Sequence, residues 1–197
     1  MIESKMQYLE KYNKMKFAIQ ECHKVDEVKL IRDKAEAYRY ALIQAKESPE
    51  YIRMAEEIKV RAERKAGELL PEQITIGTKS HPMTLSDMEI SKNQSSNWQW
   101  IASIPKEIFE NYIQSSEEIT TSGTVNLAKR LQRENEINEI KKNISNININ
   151  GLYDVIVVDP PWKYTTEYNP YTRRISSPYP EMNLQEIKDI DIPAKDN

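Results

Sequence analysis

Asp159, Pro160, Pro161 and Trp162 stand side by side near the end of the chain, and together they suit one kind of chemistry. An exocyclic amine of a nucleobase is a poor nucleophile, because its lone pair is delocalised into the ring. A carboxylate and a carbonyl held by prolines of fixed φ can both accept hydrogen bonds from such an amine. That localises the lone pair and aims it at an electrophile through positioning and preorganised electrostatics. The indole of Trp162 offers a face on which an unstacked base can lie. The same four residues also suit a Pro-rich turn with a packing tryptophan, or a polyproline-type ligand segment, because a tetrapeptide alone is a weak signal.

The element that must position them is the run before them. Val155, Ile156, Val157 and Val158 are β-branched without alternation, the pattern of a strand covered on both faces in a parallel α/β sheet. Asp159 then falls at the carboxyl end of that strand, where open α/β sheets place ligands. The prolines cannot continue a ladder, so the backbone beyond Asp159 is stiff.

The segment YDVIVVDPPWKY, followed after a loop by SPYPEMNLQEIKDIDIP, resembles the adenine-N6 methyltransferases with the DPPW motif. This is the MT-A type, named for the seventy-kilodalton subunit of the messenger-RNA adenosine methyltransferase and well represented among bacterial and phage DNA methyltransferases. The resemblance implies an S-adenosylmethionine cofactor and a Rossmann-like catalytic domain. It makes Asp159, Pro160, Pro161 and Trp162 the catalytic motif, with Asp159, Pro160 and Tyr179 at the cofactor and Trp162, Tyr164 and Tyr179 at the substrate base. It covers only residues 153–197, whereas the cofactor-binding segments of this family lie largely downstream of DPPW. The expectation is therefore the front of a methyltransferase domain, incomplete by itself, with little or no cofactor binding of its own. None of the four glycines forms a GxGxxG-like phosphate loop.

Bulk properties narrow the alternatives. A formal net charge of -3 over 197 residues gives no global basic field to coat nucleic acid. Cys22 is the single cysteine and only His23 and His81 accompany it, so neither an internal disulfide nor a zinc-type ligand set is expected. No apolar run is long enough to span a membrane, and a cytoplasmic location in a bacterium or phage-infected cell is the expectation. Self-association or a partner subunit stays open.

The residues ahead of the motif read as helices. Val28, Ile31, Ala35, Tyr38 and Leu42 form a heptad-like stripe, with Asp26 as its N-cap and Val25 and Leu30 spaced as a hydrophobic staple. Ser48 and Pro49 mark a second start. Behind them Ala55, Ile58, Ala62, Ala66 and Leu69 form a facing stripe, which predicts an antiparallel hairpin within residues 1–70. Arg61, Glu63, Arg64 and Lys65 are read as a solvated face of mixed sign. Gly67 begins a helix end and a linker.

Residues 84–103 suggest a helix-turn-helix layout. Thr84 with Asp87 caps a short helix ending near Met88, and Ser91 with Gln94 forms a capping box for a second. That second helix presents Asn93, Gln94, Asn97 and Gln99, residue types that read adenine in the major groove. A structural helical subdomain is the stronger reading, with Trp98 and Trp100 as covered aromatics. Pro105 opens a further helix with Ile108, Phe109, Tyr112 and Ile113 on one side. Gly123 punctuates, and a last long helix follows over residues 125–142, with Lys129, Arg130 and Arg133 near its start. Asn183 caps a short helix with Leu184 and Ile187 inward.

The expected fold is a mainly α N-terminal region followed by the beginning of an α/β Rossmann-like methyltransferase domain. Its parts are a helical hairpin in residues 1–70, a helix-turn-helix-like region in residues 84–142 and the incomplete catalytic part in residues 151–197. The expected activity is methyl transfer to adenine N6 in nucleic acid, DNA in preference to RNA. The alternative is a non-catalytic DNA-binding or adaptor protein with a vestigial methyltransferase segment.

Overall fold

A computed structural model describes residues 5–73, 84–144, 155–157, 159–162 and 181–190. Its helices are α1 (Lys5–Glu21), α2 (Val25–Gln44), α3 (Pro49–Gln73), α4 (Lys92–Ala102), α5 (Lys106–Ser115), α6 (Thr121–Ile144) and α7 (Leu184–Lys188). The chain divides into two units, Met1–Lys129 and Arg130–Asn197, and the division falls inside α6. No helix among the described residues is long and apolar enough to cross a membrane.

The first unit is built around α3, which packs against α1, α2 and α4. The expected hairpin of facing stripes is α2 on α3. Val28, Ala35 and Leu42 are buried on one side, and Ala55, Ile58, Ala62 and Ala66 on the other. The joint closes as a Schellman turn: Glu47 N–H donates to the Leu42 carbonyl and Lys46 N–H to that of Ile43. Lys46 takes the left-handed conformation this closure requires, at φ 54°.

The start of α2 departs from expectation. Asp26 lies in the first turn, and Lys24 occupies the cap position without a side-chain bond. The orphan N–H of Val25 donates instead to Gln73 Oε1 at 3.0 Å, while Gln73 Nε2 donates to the His23 carbonyl. A cap supplied from the far end of α3 makes a local one unnecessary. No staple forms either, since Val25 is buried while Leu30 is exposed.

Gly67 is not a helix end. It lies inside α3, with Pro71 one turn beyond it, and α4 crosses there so closely that a methyl at Gly67 would overlap the Trp98 carbonyl. Glycine is required by that backbone approach. Trp98 is buried in the same core as Val25, Ile58, Met88 and Ile90, so residues from both expected helical regions share one interior.

In residues 84–90 the expected short helix is only a turn. Thr84 and Asp87 bond reciprocally as expected, with Asp87 Oδ2 accepting from Thr84 N at 2.7 Å and Asp87 N donating to Thr84 Oγ1. Ile90 N–H then returns to the Leu85 carbonyl and Glu89 N–H to that of Ser86, with Glu89 at φ 54°. This closure ends the helix after one turn. The Ser91–Gln94 capping box forms in full. The helix expected at 125–142 begins earlier, at Thr121, with Gly123 in its first turn, because Thr120 Oγ1 accepts from Gly123 N–H and supplies the cap.

In the second unit the described part of the expected strand, residues 155–157, forms no regular element and has no ladder partners among the described residues. Val155 and Val157 are exposed. A run meant to be covered on both faces needs neighbouring strands and helices, and among the described residues one bridge pairs any two segments.

Candidate functional site

That single bridge joins the two segments on which the resemblance rests. Trp162 and Met182 pair in parallel, and Met182 N–H donates to the Pro161 carbonyl at 2.8 Å. Met182 leads into Asn183, whose side chain accepts from Gln185 and Glu186 N–H while Glu186 caps in return. The capping box thus starts α7 directly behind the bridge. Leu184, expected inward, is exposed, and Ile187 is half-buried.

Within the motif, Trp162 N–H donates to the Pro160 carbonyl at 2.9 Å, a tight turn centred on Pro161. One of the two acceptor positions of that oxygen is therefore occupied, and no described residue takes the other. Asp159 is exposed, and its carboxylate has no hydrogen-bond or ion-pair partner among the described residues. Trp162 is 45% exposed, so much of its indole is open to contact. Tyr164 and Tyr179 lie outside the described residues. An exposed carboxylate, an acceptor carbonyl and an open aromatic fit the amine and hydroxyl groups of an S-adenosyl cofactor and an adenine. No group of three or more His, Cys, Asp or Glu able to hold a metal occurs among the described residues.

The first unit carries two further polar arrangements. On α4, Ser95, Trp98 and Ile101 are buried against the core, while Lys92, Asn93, Ser96 and Gln99 face outward. Two of the expected base readers are already engaged: Gln94 closes the capping box and Gln99 donates to Ser95 Oγ at 3.0 Å. Trp100 is partly covered, with Lys129 Nζ 5.8 Å from its ring centroid.

The second arrangement is one that sequence reasoning missed. The charged side of α3 is only partly solvated, with Arg61, Arg64 and Lys65 half-buried. Glu57 and Glu63 are both buried, because α3 has neighbours on several sides. Arg61 forms a two-pronged pair with Glu110 of α5 at 2.7 Å for each bond, and it also donates to Glu57 at 2.7 Å. Tyr12 of α1 donates to the same Glu57 oxygen at 2.6 Å. The hydrogen bonds from Arg61 hold the Glu110 carboxyl below its usual range. Burial, then the neighbouring Glu57, push the Tyr12 phenol upward. Glu63 accepts from Thr121 Oγ1 at 2.7 Å and from Arg32 Nε at 3.3 Å, yet burial outweighs these partners and raises its carboxyl. Arginine and glutamate at i, i+4 are the sequence pattern of an exposed pair, so only the contacts from α1 and α5 reveal the burial. No protein-family model, no curated protein and no solved structure matches this chain.

Proposed function

We propose that this protein is an S-adenosylmethionine-dependent methyltransferase acting on N6 of adenine in nucleic acid, with DNA preferred to RNA. The observation that carries the reading is the hydrogen bond from Met182 N–H to the Pro161 carbonyl. It ties the DPPW motif to the PYPEM segment, the two stretches that resemble the family. S-adenosylmethionine, when bound, supplies an electrophilic methyl group. Asp159 and the second acceptor position of the Pro160 carbonyl would take hydrogen bonds from the N6 amine. They fix its lone pair in direction and leave it more nucleophilic than in water. Trp162 would hold the extruded base by stacking, a contact worth about 1–3 kcal/mol.

The test is methyl incorporation into adenine-containing DNA and RNA by the protein purified from its own host. Asp159→Ala is expected to lower turnover by about 10²-fold or more, the usual loss when one preorganised acceptor or donor is removed. Near-parental methylation by that variant would remove the assignment.

The outward face of α4 favours a second reading, a DNA-binding or adaptor protein without catalysis. Its sign would be duplex binding that falls steeply with salt in protein that transfers no methyl group to any adenine substrate.

A further inference from the structure

A cavity of about 290 Å³ opens between α1, α3 and α5 of the first unit. It is at the small end of ligand pockets, about 300 Å³ and upward, which suits a phosphate with its sugar better than a whole cofactor. Its lining is unbalanced in charge. Lys16, Arg61, Arg64, Lys65 and Lys106 face two carboxylates, Glu68 and Glu110. The arginines are satisfied within the fold. Arg61 holds Glu110, and Arg64 holds Glu68 at 3.1 Å and lies over the Phe109 ring at 4.6 Å. Lys16, Lys65 and Lys106 have no ion pair among the described residues, and they come from three different helices. Three lysines line one concavity, with Lys16 Nζ also 5.7 Å from the Tyr12 ring centroid, and their like charges are relieved by an anion. In a chain whose net charge is -3 this local excess is not a by-product of composition.

We propose that this pocket seats the phosphate backbone of a nucleic-acid strand. The lysines act as point charges on phosphate, and the arginine–glutamate pairs keep the walls rigid. The phosphate chemistry follows from the pocket. The choice of nucleic acid over a free phosphate rests on the function proposed above. Lysine contacts to phosphate carry no base information, so the contribution of the three lysines should be the same for every base composition.

The test measures binding of a fluorescein-labelled single-stranded oligonucleotide to the whole chain across a salt series, with inorganic pyrophosphate as a second probe. Lys65→Gln/Lys106→Gln is expected to weaken oligonucleotide binding about tenfold and to lower the salt slope by about one to two. Lys14→Gln, an exposed α1 position outside the pocket, should stay within about twofold. An equal loss in Lys14→Gln would mean diffuse charge and overturns the pocket, as does the absence of oligonucleotide binding by the parent. Pyrophosphate bound through the lysines without any oligonucleotide binding assigns the site to free phosphates and overturns the nucleic-acid source. Methyl transfer is read separately. Oligonucleotide held by the lysines without methylation keeps the pocket and removes the catalytic reading. Methylation whose KM for nucleic acid is unmoved in the double variant does the reverse.

Discussion

Glu63 shows what burial does to a single charge. Its carboxylate meets Arg32 and Thr121, with Lys59 near enough to favour the charged form, and burial still raises its pKa. The folded state therefore binds this proton more tightly than the unfolded chain does. Stability from this group is greatest below the ordinary glutamate value of 4.5 and is lost as pH rises above it toward the raised folded value. Glu110 works in the opposite sense. Its lowered pKa contributes stability above the ordinary value, which is lost as the pH falls through the folded one. Subtracting a Glu63→Gln variant from the parent isolates the first effect. Urea midpoints between about pH 4.5 and 7 should fall less with rising pH in the variant, and parallel curves would refute the assignment. The neutral amide can still accept from Thr121, so the variant should fold.

At the scale of elements, two backbone features decide how the helices meet. Gly67 lets α4 cross α3 at backbone distance. Gly67→Ala must push the helices apart, because the obstacle is the Trp98 carbonyl rather than a side chain that can rotate. The expected loss is about 1–3 kcal/mol or more, seen as a thermal midpoint lower by at least several degrees; an unchanged midpoint would show that the crossing relaxes freely. Lys46 is the converse case. It holds a left-handed φ that L-residues adopt at a cost of about 1–2 kcal/mol, and its side chain faces solvent. Lys46→Gly should raise stability by about 0.5–1 kcal/mol once the extra freedom of glycine in the unfolded chain is subtracted. A lower midpoint would mean that the Schellman closure between α2 and α3 is not limiting.

Across the whole molecule, every buried residue among those described lies between Tyr8 and Ala128, inside the first unit. The motif residues Asp159 to Trp162 are exposed or half-buried. Asp159→Ala should therefore leave the melting of the helical unit within about 0.5 kcal/mol of the parent, as for surface changes generally, while lowering the proposed methyl transfer by about 10²-fold or more. A joint loss of folding and activity would show instead that the first unit draws stability from the motif.

The sequence by itself determined the interactions that close within a few residues. The stripes of α2 and α3, the Ser48–Pro49 start, the Ser91–Gln94 box, the Asn183 cap and the stiffness at Pro160–Pro161 rest on local spacing and backbone chemistry. Trp98 as a covered aromatic was legible from its residue type. The candidate site was legible as a constellation of residue types, Asp159 through Trp162. Its link to Met182 was not, because a hydrogen bond across twenty residues has no local signature. Only the tertiary structure decided the rest. Gln73 rather than Asp26 caps α2, Gly67 is a crossing point rather than a helix end, and Glu57 and Glu63 on the charged side of α3 are interior. The valine run finds no ladder among the described residues, because a strand is stabilised by neighbours that its own sequence does not contain. The lysines of α1, α3 and α5 likewise have nothing in common along the chain, and they form one basic concavity only because packing around α3 brings three surfaces together.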